Sequence, residues 1–293
     1  MISNAPPGRV RCATVSAATL GLGGCVPGIL TPAGPVAAGE RLILFDSLAI
    51  MLAIIIPVIC LTIAFAWWFR AGNDKAKRLP DFAYSGRLEL LVWSIPALVV
   101  MFLGGVAWVG SHELDPPKPL RSMNRAIDVD VVALDWKWLF IYPDLGIASV
   151  NRLVIPAGTP VSFRITSATV MNSFLVPQLG SQIYAMSGMT TRLNLMADHP
   201  GRYLGRSVHY SGKGFPDMRF VVHSVTPTQF GAWVAGTRTA GPVLDEPGFV
   251  ALDRDSVDVK PYTYRSVAPK LFEAVVRNSG TLSTKTAVDG RLQ

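Results

Sequence analysis

Two long stretches without a formal charge, residues 47–69 and 90–111, constrain this chain more than any other feature. About 20 apolar residues carry an α-helix across the hydrocarbon of a bilayer, where a helix satisfies its own backbone polar groups. Both stretches reach that length. Each contains one proline, Pro57 and Pro96, which neighbouring helices accommodate in a membrane. Trp67, Trp68, Trp93 and Trp108 lie toward the ends, as interfacial aromatics do. Only 16% of the 293 residues are charged, against about 25% in ordinary soluble domains. A pair of buried soluble helices is the plainer alternative, and the uninterrupted length argues against it.

The connection between the two stretches orients them. Arg70, Lys75, Lys77, Arg78 and Arg87 face only Asp74 and Asp81. Short loops rich in Lys and Arg stay in the cytoplasm, which places both termini outside. The whole chain is basic, with 27 Lys and Arg against 20 Asp and Glu. No basic cluster interleaved with aromatics and no nucleic-acid motif accompanies that charge, so nucleic acid is not an expected partner.

The first residues read as an export signal. Arg9 and Arg11 precede a mild apolar run, and Leu22-Gly23-Gly24-Cys25 follows. Small residues before a Cys, with Leu three positions earlier, resemble a bacterial lipobox. Residues 1–24 are thus expected to be a lipoprotein signal, with Cys25 carrying lipid and residues 25–41 forming an exported segment. The hairpin is expected over 42–112 with its cytoplasmic loop at 70–87. No Cys follows Cys60, so the outer domain needs no disulfide and has no thiolate for a metal or a nucleophile.

After Asp115-Pro116-Pro117-Lys118-Pro119 the pattern changes to short strands. Ile127, Val129 and Val131 alternate with Asp128 and Asp130, and Val161, Phe163 and Ile165 alternate with Ser162 and Arg164. Period-2 patterning marks half-buried strands. Pro-Gly and Gly-rich turns punctuate them, which argues for a β-sandwich or barrel over about residues 120–225. The extension 226–293 is expected to hold helices near residues 229–235, capped by Thr226 or Thr228, and 270–278, packed on the sandwich or a partner. The fold class is therefore membrane-anchored α + β: a two-helix transmembrane hairpin, a β-sandwich whose paired segments Val170–Pro177 and Arg206–Met218 resemble a cupredoxin loop pair and make it cupredoxin-like, and a partly helical tail.

Hydrolase and phosphate-binding readings find no support. There is no G-x-S-x-G elbow and no Gly-rich loop between strand and helix.

Three segments carry a family resemblance. Glu89-Leu90-Leu91-Val92-Trp93-Ser94-Ile95-Pro96, Asp135-Trp136-Lys137-Trp138 and the stretch 170–218 resemble subunit II of haem-copper terminal oxidases. The copper-bearing branch holds a binuclear copper centre with a His before S-F-x-V-P and with C-x-E-x-x-x-C-x-x-x-H-x-x-M. Here the first His position matches Asn172, the two Cys positions match Ser207 and Ser211, the Glu matches His209 and the second His matches Phe215. Met218 alone is retained. One thioether does not hold two coppers, which need bridging thiolates, so no metal ligand and no cofactor is expected in this chain. His209 without converging partners is expected to be structural or at the surface. Trp136 and Trp138 are expected to pack between the sandwich and membrane subunits.

The lipobox, the tail and the missing copper ligands point to the quinol-oxidising, cytochrome bo-type branch. That resemblance implies a supporting subunit without a redox centre of its own. It implies haem and copper in subunit I, ubiquinol as substrate of the complex, subunits I, III and IV and membrane lipid as partners, and a place in the bacterial inner membrane with the sandwich in the periplasm. It also implies that Glu89 helps admit protons at a channel of subunit I, against the plainer reading of an interfacial Glu paired with Arg87. No catalytic residue is assigned to the chain. Two rivals remain: a stand-alone lipid-anchored binding or assembly protein with a degenerate cupredoxin domain, and an atypical cytochrome c oxidase subunit II.

Overall fold

The computed structural model describes residues 28–77 and 81–278. Cys25 and the rest of the expected signal lie outside the described residues, as do residues 279–293.

Helix α1 spans Pro35–Trp68 and α2 spans Gly86–Glu113. Their most apolar windows have mean hydropathies of 2.9 and 2.3, and none of those residues is buried in this chain. Apolar helices without a protein cover need lipid or a partner subunit around them. Helix α1 starts earlier than the boundary expected at residue 42, inside the segment read as 25–41. Pro35 at its first position brings a pre-set φ and no unsatisfied N–H. Gly34 before it leaves no room for a side chain, since a Cβ would sit 2.1 Å from the Met196 carbonyl oxygen. The first turn is therefore pinned to the sandwich: Val36 and Ala37 are buried, Ala33 N–H donates to the Gln178 carbonyl at 2.7 Å, and Ser181 donates to Glu40. The helices touch at this same end, where a Cβ on Gly110 would come within 2.5 Å of Ile43. Small residues let helix backbones approach closely in a membrane.

The sandwich has two sheets. One runs β12-β3-β2-β1-β5-β8, built from β1 (Ile127–Leu134), β2 (Lys137–Tyr142), β3 (Ile147–Val150), β5 (Val161–Ser167), β8 (Thr191–Leu195) and β12 (Tyr262–Tyr264). The other runs β4-β10-β9-β6-β7, from β4 (Arg152–Pro156), β6 (Asn172–Val176), β7 (Gly180–Ala185), β9 (Gly201–Ser207) and β10 (Arg219–Val225). Val129, Val131, Phe140, Phe163, Phe174 and Phe220 fill the space between them.

The extension is a third layer. Helix α3 (Pro227–Thr239) opens with a capping box in which Thr226 and Gln229 each satisfy the other's backbone N–H. Helix α4 (Glu246–Leu252), the pair β11 (Val243–Leu244) and β13 (Ser266–Val267), and helical residues 271–278 complete the layer. Leu244, Leu252, Tyr264, Leu271, Phe272 and Val275 pack on Val132, Leu134, Leu139 and Ile141, the outward face of the six-stranded sheet.

That layer corrects the half-buried reading of β1. Asp130 is 2% exposed rather than solvated, and Arg164 on the parallel neighbour β5 grips its two oxygens at 2.6 Å each. Arg164 also reaches Glu273 at 3.1 Å and lies 4.8 Å from the Phe272 ring. Lys137 is 1% exposed, and its ammonium donates to the carbonyls of Asp135 and Arg254 and to the Ser256 hydroxyl. Burial holds the Lys137 pKa below its ordinary value. Charges in the first strands are thus answered by groups from the far end of the chain.

Candidate functional site

The loop pair singled out by sequence is assembled by adjacent strands. Strands β6 and β9 run antiparallel with Phe174 opposite Ser207, so Asn172 and Ser207 fall at one end of the five-stranded sheet. The segment after Ser207 loops out and returns through a 3-10 turn at Phe215–Asp217. Ser207 N–H donates to the Met218 carbonyl at 3.0 Å and closes that loop at its base.

Hydrogen bonds occupy the interior. The Ser207 hydroxyl lies 3.3 Å from both Oδ1 of Asn172 and the His209 carbonyl, and its proton serves that pair of acceptors. Asn172 Nδ2 donates to the Val170 carbonyl at 3.1 Å. The Ser211 hydroxyl points at the Met218 sulfur at 3.9 Å, a weak acceptor. Asn172, Ser207 and Met218 are all buried. Phe215 stacks edge-on with Tyr210 at 5.7 Å, and the half-buried His209 ring lies edge-on to Tyr184 at 6.0 Å.

The sequence thus brings Asn172, Ser207, Ser211 and Met218 together, while the rings of His209 and Phe215 engage neighbouring tyrosines. Copper favours thiolate and imidazole donors. An amide, two hydroxyls and a thioether do not fit the binuclear copper of the copper-bearing branch. Among the described residues no group of three or more His, Cys, Asp or Glu comes together as a metal site.

Two tryptophans are placed differently from the expectation. Trp138 is fully buried between the sheets, edge-on to Phe174 at 5.4 Å and Phe220 at 5.7 Å. Trp136 lies beneath the loop, with φ of 60° and its indole N–H donating to the Ser211 carbonyl at 2.9 Å. Gly214 makes room for it, because a Cβ there would fall 2.3 Å from the indole. Both rings support their own domain rather than a joint with membrane subunits.

Glu89 sits in the exposed first turn of α2, where a carboxylate also suits the positive end of the helix dipole. No ion pair joins it to Arg87 or to any other described residue. Cys25 lies outside the described residues.

Sequence reasoning missed Asp130, Lys137 and Arg164 as a set. A charged residue alternating with valines reads as a solvated face, and only the tertiary layer makes it a buried one.

A two-helix hairpin that carries a cupredoxin-like sandwich with this loop pair defines the subunit II class of terminal oxidases. Residues 144–225 match the family model described as "Cytochrome C oxidase subunit II, periplasmic domain". The relatives resolve the branch. "Ubiquinol oxidase subunit 2" of Acetobacter aceti is 43% identical over 94% of this chain and 91% of its own length. "Cytochrome bo(3) ubiquinol oxidase subunit 2" of Pseudomonas aeruginosa is 45% identical over 86% of this chain and 76% of its own, and that of Pseudomonas putida 44% over 87% and 81%. The chain belongs to the ubiquinol oxidase subunit 2 family, and it is subunit II of a quinol oxidase.

Proposed function

We propose that this chain is a supporting, non-redox subunit of a proton-pumping oxidase that takes electrons from ubiquinol and passes them to oxygen. The observation that carries the reading is the donor set of the loop pair: Ser207 is hydrogen-bonded to Asn172 and Ser211 points at the Met218 sulfur, so neither a thiolate nor an imidazole stands among them. A lipid-soluble donor delivers electrons within the membrane and needs no metal docking centre outside it. Haem and copper then belong to subunit I, with subunits III and IV as further partners.

The same reading places the sandwich in the periplasm of a bacterial inner membrane, with the Arg- and Lys-rich loop inside and lipid on Cys25 outside. Leu30 runs back beside α1, where its carbonyl meets Arg41 at 3.5 Å, and Ile29 and Leu30 are exposed. Glu89 belongs to the opposite face, at the entrance for protons.

Purification of the complex from membranes in mild detergent tests the reading. Haem spectra with ubiquinol oxidation and without cytochrome c oxidation support it. Recovery of this chain alone, without haem, favours the stand-alone exported protein.

A further inference from the structure

The extension lies over the six-stranded sheet, whereas on the outward side of β9 and β10 Arg202, Leu204, Arg206 and Arg219 are exposed. The register of those strands gives that face an unusual charge pattern. Arg206 stands opposite Arg219, Leu204 opposite Val221, and Arg202 opposite His223. On the other flank Arg152 is beside Val221, and Leu175 is beside Arg206. The alternation of burial along β9 and β10 points all these residues outward.

Like charges directly opposite each other on neighbouring strands oppose folding. Here Arg206 and Arg219 make one such register, and beyond an aliphatic row Arg202 stands opposite the imidazole of His223. The counter-charge is sparse: Asp217 approaches Arg219 at 3.7 Å, and no carboxylate is paired with Arg152, Arg202 or Arg206 among the described residues. Arg152 buries its Nε without a hydrogen-bond partner. Burial, then the neighbouring Arg152 and Arg202, holds His223 below its ordinary pKa, which favours the uncharged imidazole. An anionic partner would offset the repulsion between Arg206 and Arg219.

The chemistry of that partner follows from the pattern. Guanidinium forks pair with planar carboxylates through two parallel bonds. The Leu204–Val221 row between the forks asks for apolar side chains at the intervening positions, as an extended chain presents. Lipid headgroups fit less well, because α1 starts at Pro35 beside the sandwich and its charge-free run begins only at residue 47, about 18 Å along a helix that rises about 1.5 Å per residue. We propose that the outward face of β10 and β9 docks an extended, carboxylate-bearing segment of a second polypeptide, with Arg202, Arg206 and Arg219 as its anchors.

Amine-for-guanidinium exchange tests this in native membranes. R206K and R219K keep the charge and offer amines that a water-soluble carbodiimide couples to carboxylates in contact. The expected result is a coupled Asp or Glu of one defined segment of a second polypeptide, abolished at molar salt and absent from R206Q/R219Q. Coupling no greater than that of the exposed Lys213 on the same molecules overturns the proposal. So does phosphatidylglycerol that co-purifies with the intact complex and is lost in R206Q/R219Q, which assigns the face to lipid. Unchanged haem content in each variant confirms that the complex assembles.

Discussion

The Ser207 hydroxyl lies 3.3 Å from the Asn172 side-chain carbonyl, across neighbouring strands and out of reach of solvent. By the resemblance to the copper-bearing branch, these two positions would carry a thiolate and an imidazole there. A neutral hydrogen bond leaves no charge to compensate, whereas a thiolate buried there without metal would carry a large desolvation cost.

Ser207 meets Asn172 and the Met218 carbonyl, and Ser211 points at the Met218 sulfur, so restoring the donors at these positions is expected to restore the metal. N172H/S207C/H209E/S211C/F215H with Met218 unchanged is expected to retain copper through desalting and to show thiolate-to-copper absorption in the visible. A folded variant that holds no copper would show that the loop has moved away from a ligating geometry.

Trp136 and Gly214 form a tight pair. G214A places a methyl group inside the indole's contact distance and is expected to cost about 1–3 kcal/mol by overpacking. Trp136 should become more exposed, and quenching of its fluorescence by iodide in the folded protein checks this.

Asp130 and Arg164 are unequal partners, since their side chains are 3% and 38% exposed. Removing Arg164 strands a buried carboxylate, whereas removing Asp130 leaves a guanidinium that water and Glu273 still serve. R164M is expected to destabilise by about 3 kcal/mol and D130N by clearly less, with the double variant milder than R164M alone. Denaturant unfolding of the three variants decides the order.

His223 gives a pH dependence with a definite sign. Its pKa in the folded state lies below the ordinary 6.5 because burial, then Arg152 and Arg202, disfavour the imidazolium. The unfolded chain therefore binds more protons in the window below 6.5. Stability is fully present above that value and falls as pH drops through it toward the folded pKa. Thermal unfolding between pH 7 and 5 should show a fall that H223Q and R202Q both reduce.

Much of this architecture is visible in the chain itself, because its strongest signals are local. The charge-free runs, the Pro-Gly turns and the alternation of Val161, Phe163 and Ile165 each report on a few neighbouring residues. The ligand-position residues are equally local, and the strands bring Asn172 to Ser207. Tertiary cover is not local. Asp130 reads as a surface residue until Arg164 and Glu273 are placed beside it. Lys137 has no legible role until the carbonyl of Arg254 reaches it from the far end of the chain. The early start of α1 escapes for the same reason, since hydropathy marks the membrane part and the sandwich contact extends the helix to Pro35. The basic face was half legible: Arg202, Leu204 and Arg206 alternate in the sequence, but their register with His223, Val221 and Arg219 is set by the fold.

The most direct test is a copper count on this subunit, separated under non-reducing conditions from a purified complex that oxidises ubiquinol. The account predicts haem and copper in the intact complex and no copper with this chain. Stoichiometric copper that stays with this chain, and leaves when Met218 or Asn172 is replaced, would contradict it.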